Sequence, residues 1–271
     1  MTPQALRTAL HRGQRVYGTL IVSDSPRWPA AVAQIGLDFV FIDTEHIALD
    51  RKELSWMCQT YAALGLPPIV RIPAPDPYAA TMVLDAGAAG VMVPYVETVE
   101  QIKTMHGAVK LRPLKGARLD AVLHRGAKLK PELSRYQKAQ YGENILIINI
   151  ESQPAIDNLD ALLAVEGLDG VLIGPHDLSS SLGVPERYDA PEFDAAVRLI
   201  LRRARAHGVG AGMYCVMGTD RAISWTRDGL NLIVQSGDII AMRESLSADI
   251  ATLRSALGDG ALHRATGTDN L

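Results

Sequence analysis

Short aliphatic runs alternate with amphipathic stretches from one end of the chain to the other. The runs predict strands near Val16–Val22, Asp38–Asp43, Pro68–Ile72, Gly90–Pro94, Ile145–Ile150, Asp169–Gly174, Val209–Met213 and Asn231–Gln235, with helices between them. They are continuously apolar rather than alternating, the pattern of parallel strands covered on both faces. Helix boundaries punctuate the spaces: Asp76-Pro77 opens a helix that closes near Asp85-Ala-Gly87, and Ala190-Pro191-Glu192 opens one that closes at His207-Gly208. Eight strands alternating with helices, and no Pro/Gly/Ser-rich linker, predict an α/β fold. The expected architecture is a single-domain (β/α)8 TIM barrel rather than an open doubly wound sheet.

One stretch breaks the rhythm. Between Pro94 and Ile145 the chain passes through Lys110, Arg112, Lys115, Arg118, Arg125, Lys128, Lys130, Arg135 and Lys138 with few acids, which reads as a long basic loop over residues 110–144 after the fourth strand. Two readings stand for it: a solvated or subunit-contact surface, or a positive rim that attracts anionic substrates. The barrel is expected over residues 1–257, with a polar and mobile tail over 258–271.

The chain has 271 residues, 48% of them hydrophobic and 21% charged, enough for one large core. Its net charge of -3 gives no reason to expect nucleic acid or a membrane surface as partner. Cys58 and Cys215 lack metal-ligand spacing and are too few for a disulfide framework, which fits core positions in a reducing compartment. The start, Met-Thr-Pro-Gln-Ala-Leu-Arg-Thr, shows no apolar leader, and no run approaches the ~18 residues that span a bilayer; a cytoplasmic location is expected.

In such a barrel the chemistry sits at the C-terminal ends of the strands. Polar groups recur there: Asp43, Glu45 and His46 after the second strand, Arg71 at the end of the third, Glu151 after the fifth and Asp177 after the sixth. Each has a plain structural alternative. Asp177 suits an N-cap, Glu151 a helix N-terminal charge, His46 a hydrogen-bonded structural histidine and Arg71 a barrel-mouth ion pair. Together they suggest more, because strand interiors are otherwise aliphatic. Two converging carboxylates, Glu151 and Asp177, are hard to keep ionised without a cation between them, and they leave most of an octahedral shell open for Mg²⁺ or Mn²⁺ and a chelating 2-oxo acid. The ion would act as a Lewis acid on the carbonyl, with Arg71 holding the developing enolate oxygen and His46 moving the proton, its tautomer fixed by Asp43 or Glu45. Gly174-Pro-His176-Asp177 leads into a short helix whose free N–H groups suit a substrate carboxylate. The lysines fall in predicted helices or in the basic loop and none ends a strand, which disfavours an imine route. No glycine-rich phosphate loop is present in the sequence.

The segments Phe41-Ile-Asp43-Thr-Glu45-His46, Val70-Arg71, Gly87-Ala-Ala-Gly-Val-Met-Val-Pro94, Asn149-Ile-Glu151-Ser and Leu168 through Gly183 resemble the HpcH/HpaI aldolase/citrate lyase family, the class II pyruvate aldolases, from about Gly18 to Asp238. The resemblance implies that Glu151 and Asp177 ligate Mg²⁺, Mn²⁺ or Co²⁺ and that Arg71 contacts the keto oxygen. It also implies that His46 serves in acid/base chemistry, with Asp43 and Asp85 as histidine partners. A homo-oligomer is implied too: a hexamer, arranged as a dimer of trimers, with the helix around Ile239–Leu257 exchanged between subunits. Two departures stand out: Gly116-Ala-Arg118-Leu119 in place of Gly-x-Arg-Gly, and Gln235-Ser-Gly-Asp238 in place of a Val-Gly-x-Asp type.

The expected activity is a divalent-metal-dependent aldolase that reversibly cleaves a 4-hydroxy-2-oxo acid to pyruvate, or hydroxypyruvate, and an aldehyde. Two rivals remain: a CoA-ester lyase or citrate-synthase-like enzyme of the same family, and a non-catalytic barrel that binds a 2-oxo acid.

Overall fold

A computed structural model of the chain describes residues 1–259. Eight parallel strands close into a barrel in sequence order: β1 (Val16–Ile21), β2 (Val40–Asp43), β3 (Pro68–Arg71), β4 (Gly90–Val93), β5 (Ile145–Ile150), β6 (Gly170–Ile173), β7 (Gly210–Cys215) and β8 (Leu232–Gly237), with β8 pairing back onto β1. All eight predicted strands form, and β7 and β8 run further toward the mouth than their apolar runs suggest. The helices at Pro77–Asp85 and Pro191–Ala206 start at their prolines, the first behind the Asp76 side chain, which accepts from the Tyr78 N–H.

Strand alternation divides the core into two shells. Residues such as Leu20, Phe41, Ile69, Met92, Ile147, Leu172 and Val234 fill the barrel interior, while Ile42, Val70, Val91, Ile148, Val171 and Met213 face the surrounding helices. Along β5 the inward set is Ile145, Ile147 and then Asn149, so the inner face turns polar toward the mouth.

The floor is closed by the helix Pro3–Arg12, which seats Leu6 and Leu10 in the inner shell and ends at Gly13 in the left-handed region (φ 72°). Its polar side reaches Asp169, a fully buried carboxylate just before β6. Asp169 Oδ1 accepts from Arg7 Nε at 2.7 Å and meets His11 Nε2 at 2.9 Å, while Oδ2 accepts from Lys110 Nζ at 2.6 Å and from the Leu146 N–H at 2.9 Å. Burial alone would raise the Asp169 pKa, yet His11, Lys110 and Arg7 pull it down to about 2.

Residues 110–144 depart from the expected loop. Lys110 ends the helix Val99–Lys110 and is buried against Asp169, and two further helices follow, Gly116–Arg125 and Pro131–Tyr141. Charge density masked them, because Gly116–Arg125 buries no residue fully and Pro131–Tyr141 only Gln137. Running from the C-terminus of one barrel helix to the start of β5, the segment begins and ends at the floor. Between those ends Gly116–Arg125 climbs along Val99–Lys110, and His124 pairs with Glu100 in that helix's first turn, on the mouth side.

The last helix, Asp238–Leu257, likewise buries none of its residues and exposes Ile239, Met242, Leu246, Ile250 and Leu253 at helical spacing. Among the described residues no helix is long and apolar enough to cross a membrane. Both cysteines are free and buried, as expected of core positions, and burial pushes each thiol up to about 12. Of the tail expected over 258–271, residues 260–271 lie outside the described residues.

Candidate active site

Asp43 and Arg71 are register partners at the ends of β2 and β3, which sets their side chains face to face. Arg71 donates through Nε to Asp43 Oδ1 at 2.8 Å and through Nη2 to Oδ2 at 2.6 Å, a bidentate fork. Its third nitrogen, Nη1, lies 3.1 Å from Glu45 Oε2, and its guanidinium carbon stands 5.6 Å from the Phe41 ring centroid. Burial acts to lower the Arg71 pKa, but Asp43, Glu45 and Glu151 outweigh it and hold the cation more firmly than usual. The fork therefore fixes a permanent positive charge at the top of the barrel interior.

Glu151 continues the inward face of β5 two positions beyond Asn149 and is 6% exposed. One oxygen accepts from the Tyr95 N–H at 2.7 Å and the other from Asn149 Nδ2 at 2.9 Å. Desolvation nevertheless raises its pKa, and the charges of Asp177 and Glu45 push the same way. Tyr95 adopts φ 55°, in the left-handed region rarely used by a residue with a side chain; this turn places its N–H on Glu151. Its phenol is pushed up to about 12 by a hydrogen bond to Glu45 and by burial.

Gly174, which follows β6, leaves room for this carboxylate: a Cβ there would stand 2.8 Å from Glu151 Oε2. The next residues form the helix Pro175–Ser181 with Gly174 at its N-cap, so Asp177 lies inside the first turn instead of capping it. Its exposed side chain lines a cleft of about 370 Å³ together with Tyr95, Val96, Glu97, Glu151 and Ser152. His176, predicted at the substrate carboxylate, is exposed and pairs through Nδ1 with Glu186 at 3.5 Å. Glu151 is not a helix charge either, since the Ser152 side chain caps the following helix.

Two expected histidine contacts are not formed within the chain. Both oxygens of Asp43 are held by Arg71, and it is Glu45 whose Oε2 lies 3.8 Å from His46 Nε2; His46 is 47% exposed. Asp85 ends the helix Pro77–Asp85 on the floor side and pairs with Arg112, so within one chain it does not reach His46. The lysines keep the expected arrangement, with Lys52 in the helix Arg51–Ala63 and Lys110 at the floor.

The mouth thus assembles four carboxylates, Asp43, Glu45, Glu151 and Asp177, around one guanidinium. Among the described residues no group of three or more His, Cys, Asp or Glu is placed to hold a metal ion. Two residues outside the predicted set touch the site: Asn149 was legible as the inward position before Glu151, whereas Tyr95 depends on an unusual backbone turn.

Comparison with known proteins matches a family model described as HpcH/HpaI aldolase/citrate lyase to residues 17–238. A 2-keto-3-deoxy-L-rhamnonate aldolase of Klebsiella pneumoniae subsp. pneumoniae is 31% identical over 251 residues, 92% of each chain. Among solved structures, an HpcH/HpaI aldolase/citrate lyase family protein of Burkholderia cenocepacia J2315 superposes with a TM-score of 0.79 at 26% identity, covering 93% of this chain and 99% of that one. A citrate synthase, SbnG, does so with 0.78 at 27% identity, covering 94% and 99%.

Proposed function

Because this chain belongs to the HpcH/HpaI aldolase/citrate lyase family and is a carbon–carbon lyase of aldolase type, we propose that it reversibly cleaves a 4-hydroxy-2-oxo acid to pyruvate, or hydroxypyruvate, and an aldehyde. The observation that carries this reading is the buried Glu151 carboxylate, seated in the gap left by Gly174 and facing Asp177 and Arg71 at the barrel mouth. A 2-keto-3-deoxy sugar acid, the substrate named for the rhamnonate aldolase relative, is itself a 4-hydroxy-2-oxo acid.

The donor set fits a divalent cation of the Mg²⁺, Mn²⁺ or Co²⁺ type. Two hard oxygen ligands, one desolvated and pushed toward its neutral form by neighbouring negative charge, are what such an ion would relieve. Glu151 and Asp177 would hold it, and its chemistry is Lewis-acid polarisation of the 2-oxo group. The remaining work falls to the chain. Arg71, locked by Asp43, is the fixed cation that would stabilise the C2 oxygen as it becomes negative. His46, partly exposed beside Glu45, takes the proton of the 4-hydroxyl. The C3–C4 bond then breaks, its electron pair moves into C2–C3, and the aldehyde leaves. Return of a proton to C3 completes pyruvate. The Cys58 and Cys215 thiols, held up by burial, are no rivals as nucleophiles.

The last helix supports a homo-oligomer, a hexamer in this reading, because a 20-residue helix with no buried residue and an apolar stripe is stabilised by packing on another subunit. Two buried free cysteines fit a reducing compartment such as the cytoplasm. The likeness to SbnG favours one alternative, condensation of a 2-oxo acid with a second acid.

The test is exchange of pyruvate methyl protons into deuterium oxide, followed by a screen of aldehydes. Exchange that requires Mn²⁺, stops with EDTA and resists borohydride is expected. Trapping of the protein by borohydride with pyruvate would overturn the mechanism, and exchange that couples to no aldehyde would favour the condensation.

A further inference from the structure

The run Asp177-Leu-Ser-Ser-Ser181 carries three hydroxyls that the proposed chemistry does not use. Two of them tie the short helix Pro175–Ser181 to its surroundings. Asp177 and Ser181 are four residues apart, so they stand one above the other on the same face of that helix. The Ser181 Oγ accepts the N–H of Gln153 at 3.0 Å, two residues beyond Glu151. The helix face that bears Asp177 is therefore pinned to the loop that bears Glu151.

Ser179 points to the other side of the helix, where it is fully buried. Its Oγ donates to the His176 carbonyl at 2.8 Å and accepts the Glu186 N–H at 3.0 Å. Glu186 is held at φ 57°, in the left-handed region that a residue with a side chain seldom adopts, and the contact keeps its loop folded against the turn that carries Asp177.

The Glu151 loop is constrained as well. Its carboxylate is held by the Tyr95 N–H and by Asn149, while the Ser152 Oγ donates to Glu97 Oε1 at 2.6 Å and accepts the Ala155 N–H at 3.3 Å. Gly174 stands against the same carboxylate. Neither acid-bearing segment shifts without breaking one of these bonds.

Oxygen ligands mounted on so stiff a frame discriminate by size. Mg²⁺ sits about 2.0–2.1 Å from its oxygens and Ca²⁺ about 2.3–2.6 Å, and the size and flexibility of a site decide between them. We propose that Ser181 and Ser179 are positioning residues that fix the separation of Glu151 and Asp177, so that the pair accepts an ion of Mg²⁺ size and discriminates against Ca²⁺. The inference rests on the reading of these two carboxylates as metal ligands.

The experiment titrates metal-free wild type with Mn²⁺, follows binding by electron paramagnetic resonance, and displaces the ion with Mg²⁺ or Ca²⁺, which yields all three affinities. The wild type is expected to hold Mg²⁺ more tightly than Ca²⁺. Ser181 is exposed, so Ser181→Ala should fold with a melting temperature within about 2 °C of the wild type. Loss of one hydrogen bond from the frame should weaken Mn²⁺ and Mg²⁺ about 3–10-fold and leave Ca²⁺ within about 2-fold, so the preference for Mg²⁺ over Ca²⁺ falls with it. Ser181→Thr keeps the hydroxyl and should keep the preference. Three outcomes overturn the inference and leave the metal reading intact: a wild type that binds Mn²⁺ but shows no preference, a preference unchanged in Ser181→Ala, and affinities that fall alike for all three ions. A Ser181→Thr variant that behaves like Ser181→Ala also overturns it. A wild type that binds none of the ions overturns the metal reading, and the inference with it.

Discussion

Replacing Asp169 by asparagine tests the floor of the barrel. The substitution keeps the volume and removes the charge on which Arg7, His11 and Lys110 converge. Asp169 is fully buried and Lys110 is 8% exposed, so the lysine would be left as a desolvated cation without its counterion. Removing one partner of a buried pair costs about 3–5 kcal/mol. The Asp169 pKa gives a lower bound on the same interaction: a fall from 3.8 to about 2 corresponds to roughly 2 kcal/mol, after burial has been offset by pairing. It is lower because protonation leaves a hydroxyl that still bonds, whereas the amide also turns an N–H toward Lys110. Lys110 itself shows the opposite balance, its pKa lowered by burial despite Asp169, so the acid shared by three cations is the member that matters most. With an unfolding entropy of about 0.6 kcal/mol per kelvin for 271 residues, Asp169→Asn should lower the melting temperature by about 5–9 °C at pH 7. The sign with pH follows. The stabilisation from Asp169 is present above pH 3.8 and is lost as pH falls toward about 2, so the wild type and Asp169→Asn should converge there. The His11 share runs the other way, present below pH 6.5 and lost as pH rises through its raised pKa. Adding Lys110→Met to Asp169→Asn should recover part of the loss. Calorimetric scans at fixed protein concentration supply the data; a melting temperature for Asp169→Asn within about 2 °C of wild type, or no recovery in the double variant, refutes the reasoning.

Further expectations concern the mouth and the last helix. Glu151→Gln should match or exceed the wild type in melting temperature without metal, because its charged form is disfavoured by burial, while Mn²⁺ titration should show the affinity lost. Gly174→Ala puts a methyl group 2.8 Å from Glu151 Oε2 and should weaken Mn²⁺ binding about 10–100-fold; unchanged affinity would mean that the carboxylate moves without consequence. Asp43→Asn loosens the fork on Arg71 and should lower kcat on the order of 10²-fold, measured in steady-state cleavage. Leu246→Lys with Ile250→Lys should reduce particle size in sedimentation velocity, and a wild type that sediments as a monomer would remove the basis for that expectation.

Most of the scaffold was legible because a strand covered on both faces must be aliphatic throughout, and eight such runs stand apart in this chain. The acids at strand ends were legible for the same reason, as polar residues abutting apolar runs. Pairing was not. That Asp43 meets Arg71 follows from the register between β2 and β3, which the residues alone do not announce. Asp85 failed as a local histidine partner because a helix antiparallel to the strands carries its C-terminal end to the floor. Helices Gly116–Arg125 and Pro131–Tyr141 were hidden because helices that bury almost nothing lack a clear apolar face, and their basic side chains read as solvent-exposed loop. Tyr95 could not be found by pattern, since its contribution is an N–H aimed by a left-handed backbone angle.

The plug formed by Pro3–Arg12 has a practical bearing on anyone who engineers this enzyme. Those residues line the floor rather than the candidate site, where a designer would see little risk in changing or removing them. Here trimming them would strip Leu6 and Leu10 from the interior and unseat Arg7 and His11 from their shared carboxylate, leaving the barrel uncorked at the end farthest from its catalysis.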